Sequence, residues 1–268
     1  LMAEAASSEA EAANDMKDQF LARVTHELRT PLQALLGWVQ VLGHEGLEPA
    51  RMRHAIDRIR HNVDVQARLI DDLLDVARIL SGKLRLEMRP LEPAEVIARA
   101  VEMVRPRADA QRVRIDLELH LAGVTLTGDP ARLQQVVWNL LSNAVQASSA
   151  GGRILVEARV EAARLVIAVR DWGKGIAARD LPYIFEPFRQ AHGGDGPGGH
   201  GGLGLGLAIT HSIIGEFGGE VRADSAGLPS SARARGPKAG SAPASARRCR
   251  ACTCSTWRTS PTSPIRSA

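Results

Sequence analysis

Cysteine is missing from the first 227 residues of this 268-residue chain, which excludes a disulfide framework or a thiolate-based site there; Cys249, Cys252 and Cys254 all fall beyond it. No apolar run approaches the roughly 20 residues of a membrane span. The N-terminal stretch carries none of the marks of a secretory signal. Acidic residues are absent from 228–268, where eight basic ones stand. Without those eight, residues 1–227 hold 26 basic against 30 acidic side chains. The net charge of +4 and the pI near 9.3 therefore belong to the tail, and the body offers no footprint for nucleic acid. Leu228, Trp257 and Ile265 are the tail's large apolar residues, too few to offset the entropy of ordering, so 228–268 is expected to be disordered. The chain opens Leu1-Met2 within a polar, Ala- and Glu-rich stretch and reads as a cytoplasmic piece of something longer, with no membrane contact of its own.

What is present falls into two periodicities. Residues 1–13 suit a solvated linker helix from an upstream segment, and 14–80 carry a helical repeat. Val24, Leu28, Pro31, Leu35, Trp38 and Leu42 step by four and three; after a break at Gly43–Gly46, Met52, Ile56, Ile59, Val63, Ile70, Leu73 and Ala77 follow. These are stripes of the 3.5-residue kind, predicting a helical hairpin whose seam is buried when two copies pair as a four-helix homodimer. From 83 to 227 the period changes: Leu84, Leu86 and Met88 alternate like a strand, as do Val113, Ile115, Leu117 and Leu119. Pro93 opens a helix to about Val104, Asp129-Pro130 caps another running to about Ala147, and Ile209–Phe217 makes a third, ended by Gly218-Gly219. Ile154–Val160 and Leu165–Val169 form a hairpin-like pair. The expected fold is α plus α+β, the hairpin followed by a mixed sheet with helices on one face.

Four constellations carry chemistry. In Thr25-His26-Glu27-Leu28-Arg29-Thr30-Pro31-Leu32, His26 lies two positions after a seam residue and faces solvent. Glu27 can take the proton of one ring nitrogen and leave the other a lone pair. Pro31 would kink the helix one turn below. Asn139 and Asn143 share one face of an apolar helix. They are either structural amides or neutral Mg²⁺ ligands beside phosphates. Asp171-Trp172-Gly173-Lys174-Gly175 follows a strand, where a carboxylate can accept from an exocyclic amine and glycines let the backbone approach a ring. Nine of the fourteen residues in 193–206 are glycine, and the segment runs directly into a helix, a junction suited to polyphosphate. Tyr183, Phe185 and Phe188 supply aromatic anchors for a lid before it.

The order of these motifs resembles the transmitter core of two-component sensor histidine kinases, over about residues 14–227. His26 to Leu32 resembles the phosphoacceptor box, Asn139 and Asn143 the N-box, and Asp171, Gly173 and Gly175 the first glycine box. Phe185 and Phe188 match the F-box, and Gly202, Leu203, Gly204, Leu205 and Gly206 the second glycine box. The wording is most similar to hybrid kinases. The resemblance implies a dimerising phosphotransfer domain at 14–80 and a Bergerat-type ATP-binding sandwich at 83–227. It implies that ATP phosphorylates His26 with Glu27 as base, and that a response-regulator receiver domain then accepts the phosphoryl group. Asn143 and Asn139 would hold Mg²⁺, Asp171 would take the adenine amine, and Thr30 would serve dephosphorylation of the partner. Related Bergerat ATPases place Glu where Asn139 stands, and an amide cannot take that proton. The family often has Lys near Gln146 and a final strand after Gly227. With Leu228-Pro229-Ser230-Ser231 in place of that strand, the tail reads as out of frame or aberrant, and an impaired dimeric signalling scaffold, or a Bergerat-type ATPase, is the alternative function.

Overall fold

The computed structural model describes residues 22, 24–44, 47–162, 164–189, 203–225 and 251–256. The expected linker helix over 1–13, most of the glycine-rich run with Gly202, and tail residues 228–250 and 257–268 lie outside them.

Helix α1 (residues 24–42) runs unbroken through Pro31, and α2 spans Pro49–Leu80. Pro49 sits at the start of α2, where its missing amide costs nothing. Gly82, at φ +63°, terminates it. The ring of Trp38 meets His54 edge-on at 5.3 Å and fixes the register of the hairpin. On α2 the buried positions Ala55, Asn62, Leu69 and Val76 recur every seven residues, with Asn62 satisfied by donating Nδ2 to the Arg58 carbonyl at 2.7 Å. Met52, Ile56, Val63 and Ile70 of the stripe expected to form the seam are 44 to 50% exposed, a face this chain alone leaves uncovered.

The alternation at Leu84–Met88 is not a strand. Glu87 donates its amide to the Asp129 carboxylate at 3.0 Å instead of to a neighbouring chain, and pairing starts only at β1 (Arg89–Leu91), antiparallel to β3 (Leu126–Gly128). Helix α3 (Pro93–Ala110) outruns its expected end near Val104. Buried Val104 and Ala108 continue its core face past Pro106, and Arg112, at φ +56°, makes the turn. Strand β2 (Arg114–His120) follows as expected. Helix α4 (Pro130–Ala147) begins as the sequence indicates, with Asp129 Oδ1 accepting from the amides of Ala131 and Arg132.

Strand β4 (Arg153–Glu161) runs parallel to β2 and antiparallel to β5 (Arg164–Asp171), and with β6 (Glu220–Asp224) and β7 (Ala251–Thr256) they form the main sheet in the order β2-β4-β5-β7-β6. Ile154, Val156 and Ala158 of β4 and Leu165, Ile167 and Val169 of β5 join the core beneath α3, α4 and α5 (Gly206–Glu216). Helix α5 starts three residues earlier than Ile209, and Gly218, at φ +70°, ends it ahead of β6 (Glu220–Asp224).

The tail departs from expectation at one place. Ala251–Thr256, within the stretch read as disordered and without a final strand, forms β7 between β5 and β6, antiparallel to both. The cause is tertiary: two facing strand edges offer backbone hydrogen bonds on both sides of a slot, and an extended segment can take them whatever its apolar content.

Candidate functional site

The candidate residues fall into two sets, one on the hairpin and one on the sandwich. On α1, the His26 side chain is 77% exposed, as its offset from the seam requires. Its Nδ1 stands 4.0 Å from Glu27 Oε1, close enough for charge attraction and just outside hydrogen-bond range. The Thr30 hydroxyl donates to the His26 carbonyl at 3.1 Å, one turn back along the helix. The Pro31 ring is buried behind them.

The sandwich set starts from strand alternation. Leu165, Ile167 and Val169 point at the helices, and Asp171, pairing with Ile154, is the next position in that row. A carboxyl group thus ends an apolar row, at 9% exposure. Burial raises its pKa above the ordinary carboxylate value, and only the amides of Gly173 and Asp171 itself pull it back; Gly173 donates to Oδ1 at 2.9 Å. Gly173 is required by contact: a Cβ there would stand 2.2 Å from the Ala147 carbonyl oxygen, at the end of α4. Lys174 donates its amide to the same oxygen at 3.0 Å, so the turn after β5 is docked on the helix that carries the asparagines. Gly175 turns at φ +70°.

We expect Gly173→Ala to displace this turn, lowering stability by about 1–3 kcal/mol and weakening the nucleotide binding that the resemblance implies. Thermal melting with and without Mg-ATP measures both.

Asn139 and Asn143 do not share an environment. Asn139 is 3% exposed and donates Nδ2 to the Gly206 carbonyl at 3.0 Å, tying α4 to the first turn of α5. The Thr210 hydroxyl donates to the same carbonyl at 2.8 Å. A Cβ on Gly206 would come within 3.3 Å of Asn139 Oδ1, so glycine keeps this junction closed. Asn143, one turn on, is exposed. Among the two readings of the pair, Asn139 carries the structural one in its amide nitrogen, and Asn143 is open to solvent.

The lid anchors converge on the same junction. Phe188 donates its amide to the Gly204 carbonyl at 3.2 Å, and both residues adopt left-handed φ, +67° and +71°. A Cβ at Gly204 would meet the Arg189 carbonyl oxygen at 2.6 Å. The Phe185 ring lies 5.7 Å from His211 of α5, while Leu203 and Leu205 are buried in the core. The first turn of α5 is thus held by Asn139 on one side and the Phe188 turn on the other.

These residues fit a nucleotide. The buried Asp171 carboxyl has no cation offsetting its burial, which suits an amine donor. The α5 terminus presents backbone amides after a glycine run. Among the described residues no cluster of three His, Cys, Asp or Glu could hold a metal by itself, so a cation here would take most of its ligands from phosphate and water.

Sequence reasoning missed a third cluster, on the seam between hairpin and sandwich. Asp75 of α2 is 3% exposed and accepts from Arg132 at 2.6 Å and from Gln135 at 2.7 Å, both on α4, with Arg78 at 3.3 Å. Burial pulls its pKa up, but the Arg132 and Gln135 hydrogen bonds and the two guanidinium charges outweigh this and hold it below the ordinary value. Neighbouring Asp72 is pushed up to about 6, chiefly by burial and then by the charges of Asp75 and Asp71, with the Arg68 charge pulling the other way. The signal for the cluster is an acid, Asp75, on the face of α2 that also carries Leu69 and Val76, unreadable until α4 is seen against it.

A helical phosphoacceptor-type hairpin joined to an ATPase-type sandwich defines a class, and the comparisons agree with it. The chain matches the His Kinase A (phospho-acceptor) domain over residues 16–82 and the Histidine kinase-, DNA gyrase B-, and HSP90-like ATPase over residues 128–241. The chain belongs to the sensor histidine kinases. It is 36% identical to an uncharacterized sensor-like histidine kinase of Rhizobium meliloti, over 84% of this chain and 44% of that protein. It is also 36% identical to the sensor histidine kinase RcsC of Escherichia coli, over 81% of this chain and 23% of that one. The chain therefore spans less than half the length of these relatives. Among solved structures, the histidine kinase AdeS of Acinetobacter baumannii superimposes with a TM-score of 0.57 at 23% identity, covering 87% of this chain and 98% of that one. ShkA in complex with AMPPNP gives 0.58 at 24%, covering 90% and 45%. At such identity the likeness is one of fold. No helix among the described residues is long and apolar enough to cross a membrane.

Proposed function

We propose that this chain is an ATP-dependent protein-histidine kinase that phosphorylates His26 and passes the phosphoryl group to an aspartate of a response-regulator receiver domain. The observation that carries this reading is the pairing, in one chain, of a 77% exposed helical histidine beside a carboxylate with a buried Asp171 and glycine cradle at a helix terminus. Asp171 accepts the adenine amine, and the Gly173 turn gives the ring its floor. The phosphates lie at the first turn of α5, against Gly204, Leu205 and Gly206. Asn143, with the Oδ1 of Asn139, would hold Mg²⁺, which neutralises phosphate charge when bound. Glu27 receives the Nδ1 proton and leaves Nε2 to attack the terminal phosphorus, whose bond to the bridging oxygen breaks as ADP leaves. The uncovered stripe of Met52, Ile56, Val63 and Ile70 meets its equivalent in a second copy, making a homodimer. The reaction is placed in the cytoplasm, where ATP is available.

Two observations weigh against the other readings. The Asn139 amide nitrogen donates to Gly206 and cannot activate water, against an ATPase. Strand β7 fills the slot between β5 and β6, against a scaffold with a collapsed sheet. Incubation with Mg-ATP labelled at the terminal phosphate tests the proposal. An acid-labile, base-stable label that chases onto a receiver domain is expected; steady phosphate release without protein label would overturn it.

A further inference from the structure

Strand β7 has no part in the phosphoryl transfer, yet it closes the sheet. We infer that the gap between β5 and β6 is an acceptor site for one extended polypeptide strand, that Ala251–Thr256 occupies it as a separable ligand, and that its occupancy is coupled to nucleotide binding. The coupling rests on the nucleotide reading of Asp171 and its turn; the acceptor site does not.

The first ground is topological. Among the described residues β6 pairs with β7 alone, from Glu220 opposite Thr256 to Asp224 opposite Cys252. On its other side β7 pairs with β5, from Val166 opposite Thr256 to Asp171 opposite Ala251. Without β7 two strand edges would face each other with amides and carbonyls unpaired, the arrangement that draws in an added strand. Secondly, β7 is not the second arm of a tight hairpin. Twenty-six residues, 225–250, separate Asp224 from Ala251, although Asp224 stands opposite Cys252. Hairpin neighbours need only about two to five, and that short turn ordinarily sets the register. The strand's sequence, Ala-Cys-Thr-Cys-Ser-Thr, has no large apolar residue, whereas β5 gives Leu165, Ile167 and Val169 to the core. What β7 brings is backbone hydrogen bonding, in which the net gain per bond is small and indifferent to side-chain identity. Thirdly, the gap ends at the nucleotide turn. Asp171, the last residue of β5, faces Ala251 on one side of it. On the other side Ser225, directly after β6, accepts at Oγ from the Ile176 amide at 2.9 Å. The end of β6 is thereby tied to the turn that starts at Asp171 and Gly173. A strand in the gap sets the spacing of β5 and β6 and, through Ser225, the seat of that turn. If strand and nucleotide favour the same seat, each must raise the other's affinity by the same factor.

The test uses the full chain carrying Thr253→Pro and Cys254→Pro. Adjacent residues of a central strand donate to opposite neighbours, so the two prolines remove a bond from each ladder. The variant is expected to bind Mg-ATP at least about tenfold more weakly than the parent. A synthetic peptide of residues 250–257, with Cys252→Ser and Cys254→Ser, is added at millimolar concentration, comparable with that of a tethered segment. It should restore the affinity, and the same peptide with prolines at 253 and 254 should not. Unchanged ATP affinity in the variant overturns the coupling. A loss that the serine peptide fails to mend, in a variant that still melts cooperatively, overturns the separable strand. Hydrogen exchange on the parent reads the same claim without mutation and decides it if the variant does not fold. The β7 amides should exchange at least about 100-fold faster than those of the β4–β5 ladder, and Mg-ATP should slow them. Amides of β7 as protected as that ladder overturn the proposal. If the parent binds no nucleotide, the kinase reading fails, and the acceptor site is judged by exchange and by binding of the labelled serine peptide to the proline variant. Absence of that binding overturns the site.

Discussion

Changing His26 to Gln is expected to abolish the acid-labile phosphoryl label, a loss of at least about 10³-fold in initial rate. The glutamine amide keeps the size and polarity of the side chain but has no nitrogen lone pair available for attack on phosphorus. Because the side chain is 77% exposed and packs against nothing in the core, the variant should fold as the parent does, with stability within about 0.5 kcal/mol. It should also keep its affinity for Mg-ATP, since the groups proposed to bind nucleotide belong to the other domain. Glu27→Gln makes the companion measurement. Its carboxylate lies 4.0 Å from Nδ1 and must close by about 1 Å to take the proton. Loss of a general base at that position costs roughly 10²–10⁴ in rate, with ATP binding unchanged. A phosphoryl label that survives His26→Gln would place the acceptor elsewhere and remove the central chemistry.

The elements around the site were legible where a local rule decided them. Asp129-Pro130 announced the start of α4 because an acceptor side chain followed by proline satisfies the free amides of a first turn, and Asp129 does bond Ala131 and Arg132. The row that leads to Asp171 was readable from alternation alone. What was not legible depended on partners far along the chain. Leu84–Met88 alternates like a strand, yet its backbone is taken up by Asp129, 42 positions on from Glu87. The seam stripe of Met52 and Ile56 is legible from its spacing, but the second row, Ala55, Asn62, Leu69 and Val76, which is buried within the single chain, is not. Asn139 and Asn143 looked equivalent by spacing, whereas Gly206 engages one and solvent the other. Strand β7 was hidden for the opposite reason: its composition argued for disorder, and only the slot between β5 and β6 gives it a place.

Replacing Asp171 with Asn should separate stability from binding. Burial holds the folded carboxyl above its unfolded pKa, so the folded state binds a proton more readily than the unfolded chain. Stability contributed by that group is therefore present at low pH and lost as pH rises through the folded value. Once ionised, the buried carboxylate is a net cost of folding that a neutral isostere removes. Asn retains an oxygen for the Gly173 amide, so the turn that rests on Ala147 survives. The variant should melt a few degrees above the parent at pH 8, a gain on the order of 1 kcal/mol, with the gain shrinking as pH falls. Binding moves the other way. The second oxygen becomes an NH₂ group, a donor set against the adenine amine, itself a donor. Loss of a charged hydrogen bond with a mismatch in its place should weaken Mg-ATP binding by about 10- to 100-fold, while a nucleotide carrying an acceptor at that ring position should lose far less. Melting curves across pH 5–8, with titration of ATP and of the oxo-substituted nucleotide, measure both effects. A variant that is less stable at pH 8 and binds ATP as the parent does would show that Asp171 is a structural cap for its turn and not the adenine acceptor.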